Sequence, residues 1–368
     1  MSKLEQLINE LCPNGVEWLP LGHKDVSIMK RGTSLTKSNS IEGCYPVISG
    51  GKTPAFYCNS FNREGETITV AGSGAGAGYV QYWNEPIFVC DAFSIIGTKR
   101  VSTKFIYYCL TNIQEQIYGT KKGGGVPHVH ISSIDKFHIP IPPLPVQEEI
   151  VRILDAFTDY TADLQAELQA RREQYEYYRD KLLSFEGDSS VEWKKLGDVC
   201  KVLRGKRLTT RQLSDNERFP VYHGGIDPIG YYSTNNRNAN STMVINVGAS
   251  AGTVGFSRNE FWSSDGCFCF THVDIIEQRY LFFVLQSMEP SIKSKVRKAG
   301  IPTLDNKDVE RIVIPIPPLS EQRRIVAILD KFEALVNDLT EGLPAEIAAR
   351  QEQYEYYRDK LLSFPKAV

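Results

Sequence analysis

No apolar run in this chain approaches the roughly 18 to 20 residues that a membrane-spanning helix needs. The opening residues, Met1-Ser2-Lys3-Leu4-Glu5, hold an acidic side chain and no apolar h-region, so a secretory signal is not expected. The eight cysteines are scattered, and none stands in a C-x-x-C pair. A reducing, cytoplasmic setting is the simple expectation, with Cys267 and Cys269 packing in a strand. Charge of one sign is lacking as well: 42 Lys and Arg oppose 44 Asp and Glu. Taken whole, that balance speaks against a nucleic-acid partner, but its distribution does not. Residues 19–139 carry +4 and residues 194–311 carry +5, whereas residues 140–193 carry −7 and residues 312–368 carry −2. Basic blocks alternating with acidic ones suit phosphate contact at the basic ones, although local fluctuation gives such swings equally well.

Cofactor and catalytic motifs are missing too. Gly72-Ser73-Gly74-Ala75-Gly76-Ala77-Gly78 lacks the strand–helix context and the acidic residue about 20 positions on that a dinucleotide loop requires, so it reads as a tight turn. Gly50-Gly51-Lys52-Thr53 resembles the end of a P-loop, but Pro46 stands where the first glycine belongs. An amino-methyltransferase would need an Asn/Asp-Pro-Pro-aromatic motif, and none occurs. His128 and His130 could place two imidazoles on one strand face. With no cysteine or carboxylate beside them, a polar strand or a base contact is a better reading than a metal site.

What the sequence does contain is a repeat. Residues 171–185 recur at 350–364, differing only at Arg172 against Gln351. IPIPPL at 139–144 returns at 314–319, Ile153-Leu154-Asp155 as Ile328-Leu329-Asp330, and Val16-Glu17-Trp18 as Val191-Glu192-Trp193. Between these stretches a skeleton survives. Gly50-Gly51 answers Gly224-Gly225, Ala75-Gly76 answers Ala251-Gly252, and Val126-Pro127 answers Ile301-Pro302. Glycines and prolines fix backbone geometry, so one fold is implied for two otherwise divergent lobes. Arms kept alike while lobes diverge suggest like partners for the arms and different ligands for the lobes. The partner-facing candidates are Tyr175, Tyr178, Leu182, Tyr354, Tyr357 and Leu361.

The arms carry a heptad seam. The first runs Ile150, Leu154, Phe157, Thr161, Leu164, Leu168, Arg171, Tyr175, Tyr178, Leu182, Phe185, over about 60 Å at 1.5 Å per residue. The second runs from Ile325 to Phe364 through Leu339, with an extra four residues between Leu343 and Ile347 and a kink expected at Gly342 and Pro344. Both arms could simply cover their own lobes, but their matching periods favour packing on each other. Ser2 to Leu11 makes a further short helix with a capping box, placed so that the chain termini should lie close together.

Each lobe alternates short β-branched or aromatic runs with turns and holds one helix, near 103–118 and 277–295. The expected class is α+β: two mixed α/β lobes separated by two long antiparallel coiled-coil helices, with pseudo-two-fold symmetry. The expected divisions are a helix at 1–15, lobes at 16–140 and 188–315, and arms at 141–187 and 316–368. Basic loops are the DNA-contact candidates: Lys30, Arg31, Lys37, Lys121, Lys122, His128 and His130 in the first lobe, and Arg204, Lys206, Arg207, Lys293, Lys295, Arg297 and Lys298 in the second. Cations beside glycine can follow a phosphate backbone closely.

Val-Glu-Trp…Leu-Gly opening each lobe, IPIPPL-x-x-Gln closing it (Gln147, Gln322), and the duplicated Tyr-rich helix ends resemble the specificity subunits of type I restriction–modification systems. The resemblance covers essentially the whole chain. It implies two target recognition domains, each reading half of a bipartite site, and a coiled-coil spacer that docks two modification subunits, with restriction subunits joining that core. It implies no active site and no cofactor on this chain. S-adenosylmethionine, ATP and magnesium are expected on partner subunits. The rival readings are a coiled-coil scaffold whose lobes bind protein or glycan, and a solitary methyltransferase.

Overall fold

The structure is a computed structural model that describes residues 2–123, 125–185, 187–337 and 342–367. In chain order its elements are α1 (Lys3–Leu11), β1 (Glu17–Pro20), β2 (Ser27–Arg31), β3 (Tyr45–Ile48), β4 (Phe56–Cys58), β5 (Thr67–Ala71), β6 (Val80–Trp83), β7 (Phe88–Val89), β8 (Ala92–Gly97), α2 (Thr103–Asn112), α3 (Gln114–Gly119), α4 (Ile131–Ile134), β9 (His138–Ile141) and α5 (Leu144–Ser184). They continue with β10 (Glu192–Lys195), α6 (Leu196–Val199), β11 (Val202–Arg204), β12 (Phe219–Tyr222), β13 (Tyr231–Tyr232), β14 (Ser241–Ile245), β15 (Val254–Ser257), β16 (Trp262–Ser263), β17 (Cys267–Phe270), α7 (Gln278–Ser287), α8 (Glu289–Ser294), α9 (Asn306–Glu310), β18 (Val313–Ile316), α10 (Leu319–Asn337) and α11 (Leu343–Leu361).

These elements form two compact units. Unit 1 joins Met1–Asp163 to Ile347–Val368, and unit 2 is Leu164–Glu346. Each unit has the same three sheets. Unit 1 has β2-β8-β5-β6, β4-β3-β7 and the ribbon β1-β9; unit 2 has β11-β17-β14-β15, β13-β12-β16 and β10-β18. The class is α+β, repeated twice. The inner strands β5 and β14 are buried along their whole length, which is why they read as β-branched runs rather than as an alternation. α2 packs on β5, β6 and β8, and α7 on β14 and β15.

The repeated motifs turn out to be pieces of one joint. Val-Glu-Trp lies in the strand that pairs with IPIP: Trp18 faces Pro140 and Trp193 faces Pro315 in identical antiparallel registers. A two-stranded ribbon has free edges, so it tolerates the prolines. Gln147 is fully buried. Its Oε1 accepts from the Ser102 N–H at 2.9 Å, and its Nε2 donates to the Arg100 and Pro142 carbonyls. Gln322 repeats all three bonds, with the Glu277 N–H and the Ile275 and Pro317 carbonyls. Ser102 and Glu277 are the N-cap residues of α2 and α7. The glutamine therefore locks the start of each arm to the start of each lobe helix.

α5 is a single 41-residue helix. All seam positions of the first arm, from Ile150 to Leu182 in α5 and Phe185 just beyond it, are buried or half-buried except Tyr178, which is 39% exposed. On the second arm the same holds at each described seam position; Leu339 lies outside the described residues. Within unit 1, Phe157 stacks on Tyr357 at 5.5 Å and the Arg350 guanidinium lies over Tyr160 at 5.3 Å, so α5 and α11 run antiparallel there. Within unit 2, Tyr178 stacks on Phe332 of α10 at 5.7 Å. Pro344 falls in the first turn of α11, where its missing N–H costs nothing.

Three expectations are refined. The helix expected in each lobe is a broken pair, α2 and α3 parting at Ile113 and α7 and α8 at Met288, and the lobes also hold the short helices α4, α6 and α9. The match of Ala75-Gly76 with Ala251-Gly252 is two residues out of register. Gly78 and Gly252 are the true equivalents, since both have positive φ and both donate to the end of the preceding strand, at the Ala71 and Ile245 carbonyls. The sparing of the Tyr-rich helix ends has an internal cause as well. Tyr175 is buried in the unit 2 core and its hydroxyl donates to Gln286 at 2.7 Å. Its copy Tyr354 packs against the unit 1 core. Leu182 packs into the unit 2 core, Leu361 into that of unit 1. Of the six residues chosen as partner-facing, Tyr178 is the one classed as exposed.

The capping box holds: the Ser2 N–H donates to Glu5, and the Glu5 N–H to Ser2 Oγ. The two ends of the chain meet. The Val16 N–H donates to the Pro365 carbonyl at 2.9 Å, and the Ala367 N–H to the Val16 carbonyl at 2.9 Å. Lys3 Nζ and Arg152 both reach the buried carboxylate of Glu149, at 2.8 and 2.7 Å. All eight cysteines are free thiols, with Cys267 and Cys269 packed in β17.

Candidate nucleic-acid interface

Each unit presents a cleft at the same place, built from the end of β2 or β11 and the loop that leads into α4 or α9. In unit 1 the cleft is about 450 Å³, and its lining includes Arg31, Gly72, Phe93, His128, Val129 and His130. In unit 2 it is about 260 Å³, with Arg204, Asn246, Phe268, Thr303, Leu304 and Asp305 in its lining.

Backbone bonds prove the correspondence. Arg31 pairs with Phe93 and Arg204 with Phe268. The Arg31 carbonyl accepts from Arg63 Nη2 at 2.9 Å, the Arg204 carbonyl from Arg237 Nη2 at 3.0 Å. The Val129 N–H donates to the Gly72 carbonyl, the Leu304 N–H to the Asn246 carbonyl. His128 exchanges both backbone bonds with Lys122, and Thr303 does so with Arg297. His130 and Asp305 are the N-cap residues of α4 and α9. Next to each arginine lies a glycine without room for a side chain. A Cβ on Gly32 would stand 2.0 Å from the Cys90 carbonyl oxygen, one on Gly205 2.1 Å from that of Ser264.

The loop between Lys122 and His128, and its copy between Arg297 and Thr303, carries an exposed apolar residue beside cations. Val126 is 57% exposed and Ile301 70%. Each is held from behind, because the carbonyl of the next residue, Pro127 or Pro302, accepts from Gly74 or Gly248 at the positive-φ corner of the glycine turn. The glycine-rich stretch is thus a turn that braces a loop.

The structure brings Arg31, His128 and His130 to one cleft and Arg204 and Arg297 to the other. The two imidazoles stack with centroids 6.1 Å apart. Among the described residues no group of three or more His, Cys, Asp or Glu side chains is placed to hold a metal ion. Lys30, Lys37, Lys121, Lys122, Lys206, Arg207, Lys295 and Lys298 are exposed but outside the cleft linings. Lys121 lies over the Tyr118 ring at 4.2 Å. Lys293 pairs with Glu289 within α8, and Arg297 reaches Asp305 at 3.7 Å.

Sequence reading missed the pair Asn62-Arg63 and its copy Asn236-Arg237. Each asparagine exchanges two bonds with a strand residue, Val89 or Ser263. Each arginine then clamps the cleft arginine's carbonyl. The repeated Asn-Arg dipeptide was the available signal.

Residues 16–173 and 189–349 each match the type I restriction modification DNA specificity domain. The chain is 32% identical to the specificity subunit of a type I restriction enzyme of Escherichia coli, covering all of this chain and 98% of that one. It is 31% identical to a type I restriction enzyme specificity subunit of Haemophilus influenzae, over 95% of this chain and 96% of that one. In fold it is similar to the S subunit of the type I restriction–modification system of M. genitalium, with a TM-score of 0.70 at 21% identity over 95% of this chain and 96% of that one. A chain from a structure of type I complex assembly gives a TM-score of 0.60 at 19% identity, over 96% and 98%. Among the described residues no helix is long and apolar enough to cross a membrane. With the domain present twice, on two units that repeat one topology down to the glutamine lock, the chain belongs to the type I restriction–modification DNA specificity family.

Proposed function

We propose that this chain is the sequence-specific DNA-binding subunit of a type I restriction–modification complex, each unit reading one half of a bipartite, asymmetric target. The observation that carries the reading is the pair of equivalent clefts: one frame used twice, with different polar side chains on its walls. A shared frame fixes register on the duplex, and differing walls give different half-sites. The arms set the unread spacer and dock two modification subunits that methylate adenine, and two restriction subunits complete the complex. The chain itself is non-catalytic and binds no cofactor. S-adenosylmethionine, ATP and magnesium belong to its partners, and the complex works in the cytoplasm. The test is to map methylated adenines after expressing the chain alone, the modification subunit alone, and the two together. Only the pair should methylate, and at one two-part motif with unlike halves. Methylation by this chain alone, or a perfectly palindromic motif, would overturn the reading.

A further inference from the structure

The two clefts are constant at some positions and variable at others, and the division is chemical. Arg31 and Arg204, Phe93 and Phe268, and Val129 and Leu304 keep their character. The other four positions do not. Gly72 becomes Asn246, His128 becomes Thr303, His130 becomes Asp305, and Ile131, the first residue of α4, becomes Asn306, the first of α9. Every change exchanges hydrogen-bonding capacity, while the backbone bonds of the first three are retained. Drift in a packed wall would exchange volumes. Drift on a solvated surface would not spare the three neighbours.

Asn246 adds an independent sign. The residue is 3% exposed, and its Oδ1 has no hydrogen-bond partner. A buried amide oxygen left without a donor is costly, and this one stands in the wall of the cleft. Where unit 1 has Gly72 the cleft is larger, about 450 against 260 Å³, and leaves its recognition chemistry to the two imidazoles.

Resting on the DNA-reading role above, we infer that Gly72, His128 and His130 choose the first half-site, and that Asn246, Thr303 and Asp305 choose the second. In unit 2 the unpartnered Asn246 oxygen accepts from an exocyclic base amino group, adenine N6 or cytosine N4, the donors a major groove offers. The arginine common to both clefts supplies affinity without discriminating between them.

The experiment uses the full chain assembled with its modification subunits. Asn246→Ala and His128→Thr are compared with the parent on duplexes in which each base pair of each half-site is changed in turn, together with a genome-wide map of methylated adenines. Asn246→Ala should lose about tenfold of the preference at one base pair of one half-site, the scale of a single lost base contact. His128→Thr, an exposed position with little bearing on folding, should relax one base pair of the other half-site. Neither should alter the spacer. A parent-like preference in both variants, the Asn246 oxygen being served by water, would overturn the assignment, as would equal losses at both half-sites. A parent complex without any bipartite preference would instead sink the DNA-reading role itself.

Discussion

At the scale of single residues, the glutamine lock makes a quantitative claim. Gln147→Leu removes three hydrogen bonds and leaves the Ser102 N–H and two carbonyls buried without partners. The cost should be about 2–4 kcal/mol, which in a unit of this size lowers the melting temperature by roughly 5–10 °C. Calorimetry should show that loss in one transition only, and Gln322→Leu should move the other. A loss below about 1 kcal/mol in both variants would show the lock to be dispensable. Glu149 makes a claim about pH. Hydrogen bonds from Arg152 and then Lys3 hold its carboxyl at about 2, against 4.5 ordinarily. A depressed folded value contributes stability that is present above pH 4.5 and lost as pH falls towards 2. The stability difference between the parent and Glu149→Gln should therefore be flat above pH 5 and shrink between 4.5 and 2 in urea titrations. A difference independent of pH would mean that the carboxylate is not held. The letter Gln147 was legible in the sequence as part of a motif, but its task was not, because two of its three partners lie 45 and 47 residues away on backbone atoms. Asn62-Arg63 escaped notice because only the dipeptide is kept, in loops of otherwise unlike sequence.

At the scale of elements, the arms were the most legible part, since a seam sustained over five heptads permits few other structures. The glycine turns were the least. A stretch with a glycine at alternate positions can be laid on its copy in several registers, and only positive φ and the bonds to Ala71 and Ile245 choose among them. The breaks at Ile113 and Met288 were hidden because each helix pair keeps one apolar face across the break. α5 yields a test of the proposed ruler. Deleting Gln165 to Leu168 removes about 6 Å of helix and leaves a seam step in place. At about 3.4 Å per base pair, the unread spacer should shorten by one to two base pairs while both half-sites stay as they were. Mapping methylated motifs in cells carrying the deletion decides it. An active variant with the parent spacer would show that the arm does not measure the target.

At the scale of the whole molecule, the units differ in how the chain supplies them. Unit 2 is one continuous stretch, whereas unit 1 needs the two ends of the chain. Leu361, Leu362 and Phe364 enter the same core as Ile68 and Phe105, and Val16 pairs with Lys366. A chain stopped after Glu346 should keep unit 2 and loosen unit 1. Hydrogen exchange should show lost protection at β5 and α2 amides with β14 and α7 unchanged; equal protection in both would refute the division. The circular pairing at Val16 also sets an order of events at the ribosome. Residues 164–346 emerge as a complete folding unit, but the first lobe, though made earlier, waits for the last helix. At about 5–20 residues per second that wait is on the order of ten to forty seconds. For that interval the apolar patch destined for α11 is bare in a nascent chain, and it is the place where a chaperone, or a like segment of a neighbouring nascent copy, has its opportunity to bind.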